Sequence, residues 1–232
     1  MDSAPQDQNW HLESEGLLAG YDGTAVCGEF NVELHSGSAL ALAGANGSGK
    51  STLLRTLSGR QKPVKGRVRM DQAPIDERSL NYRLRVAAVF DDDAFFPSLT
   101  VNEHLLMIAL GHGRVDAAAA VDSELHFFGL TNHAEAFPHS LSSGQRRRLL
   151  LASAFVRPFS FLVLDEPEQR LDQTMRHRLA ERMVRSTAAG ARILMATHDP
   201  LLLSAAADRC ALLDGDEVAF VAPGHAAETI SR

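Results

Sequence analysis

Cysteines and long apolar runs are scarce in this chain of 232 residues. Its two cysteines, Cys27 and Cys210, are too few for a disulfide framework, so the sequence fits a reducing compartment. The longest apolar candidate, residues 101–110, is interrupted by Glu103 and His104, and a membrane-spanning helix needs about 18 or more apolar residues. We therefore do not expect this chain to cross a membrane by itself.

A basic excess and a targeting segment are also missing. The net charge of -6 and the pI near 5.9 argue against a protein that holds nucleic acid mainly through phosphate contacts. The first residues are polar and acidic and resemble neither a secretory signal nor a transit peptide. We expect residues 1–12 to form a flexible tail. The hydrophobic fraction of 45% and the charged fraction of 22% are typical of a globular domain.

Strand and helix patterns alternate on both sides of a helical stretch. The short apolar runs at 39–43 and 161–164 are typical of strands buried on both faces, whereas residues 29–35 alternate as a half-buried strand does. Thr100 and Glu103 form a capping-box pattern ahead of a helix. Helices are predicted at 50–58, 115–128, from about 142 and at 175–186, and a further strand at 192–196. This order predicts an α/β fold with a parallel sheet and a helical insert.

The most specific motif reads Gly44-Ala45-Asn46-Gly47-Ser48-Gly49-Lys50-Ser51. It has the form G-x-x-x-x-G-K-S between a predicted strand and a predicted helix, the context that identifies a phosphate-binding P-loop. Its glycines let the backbone N–H groups point at phosphate oxygens, and the helix N-terminus adds a favourable dipole. Lys50 would neutralise β/γ-phosphate charge and Ser51 could ligate Mg²⁺. A glycine-serine turn without a ligand is the alternative, and the flanking strand and helix argue against it.

Two further motifs gain meaning from the P-loop. Asp165 ends the apolar strand 161–164, where a carboxylate can support Mg²⁺, and the adjacent Glu166 could act as the general base toward water. The stretch Leu141-Ser142-Ser143-Gly144-Gln145 precedes a helix whose start could bind an anion. Taken alone, this stretch would most often be an ordinary capped helix.

Together these residues resemble the ATP-binding cassette (ABC) ATPase family. The resemblance runs from about 12 to 221 and rests on five motifs in order: the P-loop, LSSGQ, LVLDEP, Leu171-Asp172 and Thr197-His198-Asp199. It implies a P-loop NTPase core with a parallel central sheet, an antiparallel β-subdomain and a helical signature subdomain inserted at about 98–155. Residues 13–232 would then form a single nucleotide-binding domain.

The resemblance also implies roles for individual residues. Tyr21 would stack on adenine, Glu166 and His198 would be catalytic, and Asp172 would lie at a dimer interface. The signature residues Ser142, Ser143, Gly144 and Gln145 would contact ATP held by a second subunit. Nucleotide would be bound by Tyr21, Gly44, Asn46, Gly47, Ser48, Gly49, Lys50, Ser51 and Thr52. Mg²⁺ would be bound by Ser51 and Asp165, with Asp91 as a further candidate.

The function implied by the resemblance is ATP hydrolysis that powers a separate transmembrane permease. The chain would bind MgATP and close on a second ABC subunit, as a homodimer or heterodimer, around two ATP molecules. It would be cytoplasmic, held at the inner face of the cell membrane through the permease, with no nucleic-acid partner. Three alternatives stay open: a nucleotide-gated switch with little turnover, a soluble ABC ATPase acting on DNA or the ribosome, and a P-loop kinase.

Three departures from the family pattern bear on that function. Asp91 stands where a glutamine is usual, which puts the rate of turnover and its coupling to a partner in question. Ser143 replaces a glycine of the signature, and 168–170 reads Glu-Gln-Arg where small residues are usual. The acidic run 91–93 could be a solvated loop or a surface facing a partner or Mg²⁺. The three arginines at 146–148 are expected to form salt bridges or a subunit contact.

Overall fold

The computed structural model describes residues 11–90 and 94–230. The strands are β1 Leu12–Leu18, β2 Gly20–Tyr21, β3 Thr24–Ala25, β4 Phe30–Leu34, β5 Ala39–Gly44, β6 Lys65–Met70, β7 Ala73–Pro74, β8 Val86–Val89, β9 Phe161–Asp165, β10 Arg192–Ala196, β11 Arg209–Asp214 and β12 Glu217–Val221. The helices are α1 Lys50–Leu57, α2 Leu80–Arg85, α3 Val101–Gly111, α4 Ala117–Phe127, α5 Ser143–Phe155, α6 Gln173–Ala188, α7 Pro200–Ala206 and α8 Pro223–Ile230. Two short 3₁₀ turns, Thr131–His133 and Pro138–Ser140, precede α5.

A six-stranded sheet in the order β12-β11-β5-β10-β9-β8 forms the centre of the fold. All neighbouring strands in it are parallel except the β11–β12 pair. Every residue of β5, β9 and β10 is buried, as expected for strands covered by helices on both faces. Because these strands are parallel, the residues that follow β5, β8, β9 and β10 emerge at one edge of the sheet. This confirms the predicted α/β fold with a parallel central sheet.

A second sheet is antiparallel and has the order β4-β1-β6-β7. In β4, Phe30, Val32 and Leu34 are buried and the residues between them are exposed, which is the alternation predicted for this segment. Leu12 corrects one prediction, because it does not belong to a flexible tail. It begins β1, is 1% exposed, and pairs with Leu34 on one side and Met70 on the other. Residues 1–10 lie outside the described residues.

Helices α3, α4 and α5 lie between β8 and β9 and fall within the stretch predicted to be helical. The capping box at Thr100 and Glu103 forms as predicted, with both reciprocal hydrogen bonds present. Val115 was expected to lie in a helix, but α4 begins two residues later and Val115 is 86% exposed. Within 11–90 and 94–230, no helix has the length and apolar character that a membrane span requires.

Candidate nucleotide-binding site

The loop between β5 and α1 curls through three glycines with positive φ angles: Gly44 at 149°, Gly47 at 83° and Gly49 at 92°. A Cβ atom on Gly44 would lie 2.4 Å from the carbonyl oxygen of Leu213. L-residues with side chains rarely adopt these φ values, so the loop depends on glycine at these positions. The backbone therefore takes the curled form that the G-x-x-x-x-G-K-S pattern predicted.

Lys50 lies inside this loop and is 5% exposed. Its ammonium group donates hydrogen bonds to the carbonyl oxygens of Gly44, at 2.9 Å, and Ala45, at 2.8 Å. Burial lowers the pKa of Lys50, and the carboxylates of Glu166, Asp165 and Glu168 act in the opposite direction. In this arrangement the Lys50 ammonium is hydrogen-bonded to two carbonyl oxygens of the loop. The oxygens of a phosphate are stronger acceptors because they are charged, so a bound phosphate can replace these carbonyls.

A cavity of about 200 Å³ opens beside the loop. It is lined by Val26, Asn46, Gly47, Gly49, Lys50, Ser51, Thr52 and Glu166. Nearby, the buried hydroxyl of Ser48 has no hydrogen-bond partner among the described residues. A buried polar atom without a hydrogen-bond partner lowers the stability of a protein. The P-loop therefore favours a ligand that supplies hydrogen-bond acceptors or donors.

Tyr21 stands at the rim of the site on β2. Its ring is 55% exposed, and its hydroxyl oxygen accepts a hydrogen bond from Thr52 Oγ1 at 3.3 Å. This contact brings the tyrosine beside the first turn of α1, where an exposed aromatic ring can stack on a planar base. The stacking itself remains a prediction.

Ser51 and Asp165 meet across the gap between α1 and β9. Ser51 Oγ donates to Asp165 Oδ1 at 3.0 Å. Burial raises the pKa of Asp165, which the hydrogen bond from Ser51 and the charges of Arg55 and Arg147 partly offset. A carboxylate that is costly to ionise in isolation would be stabilised by a cation at this position.

Glu166 follows Asp165 in a left-handed backbone conformation, with φ at 44°. For a residue other than glycine this conformation costs about 1–3 kcal/mol, so the surroundings must hold it. Its N–H donates to Ala196 O at 2.8 Å, and its Oε2 accepts a hydrogen bond from Gln169 Nε2. In this conformation Glu166 lies in the lining of the cavity.

His198 follows β10 beside Glu166. Its Nδ1 lies 3.8 Å from Glu166 Oε1 and 3.5 Å from Glu168 Oε1. Glu168 is 2% exposed and accepts from Thr197 Oγ1 at 2.6 Å and from the backbone N–H of His198 at 3.1 Å. Burial raises the pKa of Glu168. The sequence marked Glu168 only as a departure from the family pattern, whereas the structure has it fixing the turn that carries His198.

The signature residues are held at the start of α5. Ser142 is the N-cap: its side chain accepts from Gln145 N at 3.3 Å, and Gln145 Oε1 accepts from Ser142 N at 2.8 Å. Gln145 Nε2 also lies 2.9 Å from His133 Nε2. A Cβ atom on Gly144 would lie 3.0 Å from Arg170 O, so this glycine allows a close approach of the two segments. None of the four signature residues lines the cavity at the P-loop of the same chain.

Asp172 is satisfied within its own chain. It caps α6 by accepting from Met175 N at 2.8 Å, and it pairs with Arg148, with 56% of its side chain exposed. Of the three arginines at 146–148, Arg148 thus forms the expected salt bridge. Arg147 instead donates to backbone carbonyls in the interior, a role that no sequence pattern indicated.

The P-loop and Glu166 therefore line one cavity, and Asp165 is joined to it through the hydrogen bond from Ser51. His198 lies beside Glu166, and Tyr21 lies at the rim. The signature residues and Asp172 lie elsewhere on the same chain. Asp91, the third candidate for Mg²⁺, lies outside the described residues together with the acidic run 91–93.

A protein-family model described as "ABC transporter" matches residues 27–169. The chain belongs to the ABC transporter family. This confirms the resemblance inferred from the five motifs, and the chain is accordingly a member of the ABC ATPases.

Curated relatives extend the likeness beyond the matched stretch. Nod factor export ATP-binding protein I of Cupriavidus pinatubonensis is 35% identical over 189 residues, which is 81% of this ABC chain and 58% of that protein. A putative ABC transporter ATP-binding protein of Methanosarcina mazei is 33% identical over 195 residues, 81% of this chain and 43% of that one. The chain thus spans about half the length of these two relatives.

Solved structures give the same fold. An ATP-binding subunit of an ABC transporter superposes with a TM-score of 0.83 at 25% identity, covering 95% of this chain and 99% of that one. A dimeric, post-hydrolysis ATP-binding cassette bound to ADP and phosphate superposes with a TM-score of 0.79. Its identity of 21% limits that second likeness to the fold, over 91% of this chain and 98% of the other.

Proposed function

We propose that this chain is an ATP-hydrolysing subunit that powers a separate transmembrane permease. It binds MgATP at the P-loop, pairs with a second ABC subunit around two ATP molecules, and cleaves the γ-phosphate with water. In this proposal residues 13–232 act as one nucleotide-binding domain, and no nucleic acid takes part.

One observation carries the proposal. Lys50, Ser51 and Glu166 line one cavity, and Asp165 lies behind Ser51, accepting a hydrogen bond from Ser51 Oγ at 3.0 Å. Hydrolysis of a phosphoanhydride requires a group that binds the phosphates and a group that accepts a proton from water. The P-loop is suited to the first role and Glu166 to the second.

The residues present fit a magnesium ion. Ser51 and Asp165 offer the oxygen ligands that Mg²⁺ prefers, and the buried Asp165, whose pKa is raised by burial, gains from a cation. Few protein ligands are expected, because Mg²⁺ usually keeps water and phosphate oxygens in its shell. Bound there, the ion would neutralise charge that develops on the phosphate oxygens.

The chain's own groups divide the remaining work. The loop's N–H groups and Lys50 bind and orient the phosphates, with Lys50 exchanging the carbonyls of Gly44 and Ala45 for phosphate oxygens. Glu166 takes a proton from the attacking water. The oxygen of that water bonds to the γ-phosphorus, and the bond between the γ-phosphorus and the β–γ bridging oxygen breaks, so that ADP leaves. Gln169 holds Oε2 of Glu166, which leaves Oε1, the oxygen nearer His198, to receive the proton.

The proposal includes two partners, a second ABC subunit and a transmembrane permease. Ser142, Ser143 and Gly144 begin a helix away from the P-loop, and a helix start is suited to the γ-phosphate of a second subunit's ATP. The names of several curated relatives, which are export proteins, favour export over import. We place the subunit in the cytoplasm, at the inner face of the membrane through its permease.

Glu166→Gln tests the proposal because it keeps the size and hydrogen bonding of the side chain but removes the proton acceptor. We expect ATP hydrolysis to fall by about 10²–10⁴-fold, and the variant to accumulate as an ATP-bound dimer on a sizing column. Glu181→Gln, on the exposed face of α6, should keep the wild-type rate. Hydrolysis at the wild-type rate by Glu166→Gln would show that the base lies elsewhere.

A nucleotide-gated switch with little turnover is the second candidate. The hydrogen bond from Gln169 to Glu166 favours it, because that amide occupies one oxygen of the general base. If the wild-type protein pairs on ATP but does not hydrolyse it, even with its permease, the switch replaces the enzyme.

A further inference from the structure

Arg147 crosses from α5 to the ends of two strands of the central sheet. Its guanidinium donates hydrogen bonds to three backbone carbonyl oxygens: Asp165 at 2.5 Å, Glu166 at 2.7 Å and Phe90 at 3.3 Å. The residue is 2% exposed, so it has almost no surface left for a subunit contact. One side chain therefore joins the helix that begins at the signature to the carboxyl ends of β8 and β9.

The hydrogen bond to the Glu166 carbonyl matters because Glu166 has a left-handed backbone conformation, which its neighbours must stabilise. Its N–H is held by Ala196 O on β10, and its carbonyl is held by Arg147 on α5. With φ at 44°, the turn persists only while contacts on both sides oppose its relaxation. The direction of the Glu166 side chain depends on this turn.

We infer that Arg147 is a positioning residue for Glu166. It fixes the backbone of Glu166, the proposed general base. The direction of the Glu166 side chain then depends on the position of the first turns of α5, which carry Arg147. Ser143 and Arg147 are four residues apart on the same helix, so they lie on one face and move together. This inference rests on the proposed function, because it gives Glu166 the role of base.

The shape of arginine is needed for this role. A guanidinium is a rigid planar fork with five N–H donors, so it can serve three carbonyls at fixed angles. A lysine keeps the positive charge but has a single ammonium on a flexible stem. Arg147→Lys therefore removes the fork and leaves the charge that lowers the pKa of Asp165.

The test compares Arg147→Lys with Arg192→Lys. Arg192 is equally buried, at 2% exposed, but begins β10 at the opposite edge of the sheet. We expect Arg147→Lys to lower kcat by about 10²-fold, the effect of a reacting group misplaced by about 1 Å, with KM for ATP unchanged. Arg192→Lys should keep the wild-type kcat. The change in its melting temperature measures how much stability is lost when a buried guanidinium is replaced by an ammonium.

A double variant separates positioning from a general structural effect. If Arg147 acts through Glu166, then adding Arg147→Lys to Glu166→Gln should not reduce the residual rate further. Independent, multiplicative losses would overturn the inference, as would a wild-type kcat in Arg147→Lys. Should Arg147→Lys fail to fold, Arg147→Gln, whose amide still donates to one carbonyl, replaces it with the same outcomes. If Glu166→Gln retains full activity, the proposed function fails first, and Arg147 then has no base to position.

Discussion

The starts of α1 and α5 are both proposed to bind phosphate, yet they are built differently. Helix α1 begins after Gly49, which is left-handed and offers no side-chain cap to the first N–H groups. Helix α5 begins with a complete capping box, in which Ser142 and Gln145 satisfy each other's backbone N–H groups. One helix start leaves its donors for a ligand, and the other already has partners for two of them.

This difference has a thermodynamic consequence. An N-cap side chain contributes about 0.5–2 kcal/mol to stability, and α5 keeps that contribution in the single chain. At α1 the corresponding gain comes only when phosphate binds. The P-loop is thus a site that one chain can provide, whereas the signature is a stable helix start that a second subunit's ATP must engage without disrupting the cap.

Of the two helix starts, α1 should show the larger effect, in Lys50→Ala, because Lys50 is the only positively charged side chain among the described residues that line the cavity at the P-loop. We expect ATP affinity to fall by about 10²-fold, because charge-assisted contacts to phosphate are lost. The fold should persist, since the glycines determine the shape of the loop. Fluorescent-nucleotide titration measures the affinity. Lys62→Ala, at an exposed lysine, serves as the control, and an unchanged ATP affinity in folded Lys50→Ala would contradict the assignment.

Ser142→Ala examines the α5 side of the comparison. It should cost about 1 kcal/mol of stability, or about 2–4 °C in melting temperature for a chain of this size. Thr100→Ala is the matched control, because Thr100 caps α3 with the same box away from the P-loop cavity.

Both variants should lose similar stability, but only Ser142→Ala should weaken ATP-dependent pairing on a sizing column. Equal pairing in the two variants would mean that the Ser142 hydroxyl acts as a cap and does not contact nucleotide.

The same contrast explains what the sequence alone could predict. The P-loop, Asp165 and the Ser142 cap were predictable because each motif is a contiguous run whose chemistry depends on its own spacing. Arg147 and Glu168 were not, since their partners lie at or just beyond the ends of strands, 18 to 57 residues away in the chain. Of the fold, β5, β9 and β10 were evident as apolar runs. Strand β12, with a largely exposed face and no apolar alternation, gave no comparable pattern.

Ser143→Gly is expected to have the smallest effect, and it tests whether the signature acts through backbone or side chain. Ser143 is the first residue of α5 and is exposed, so the substitution should cost no more than about 0.5 kcal/mol. If the donors to the second subunit's ATP are the N–H groups at the helix start, pairing and turnover should equal those of wild type, because glycine leaves every N–H in place. A clear loss of ATP-dependent pairing in Ser143→Gly would instead make its hydroxyl a ligand. The serine would then be a functional substitute for the usual glycine, and the α5 start would bind through side chains where the α1 start binds mainly through its backbone.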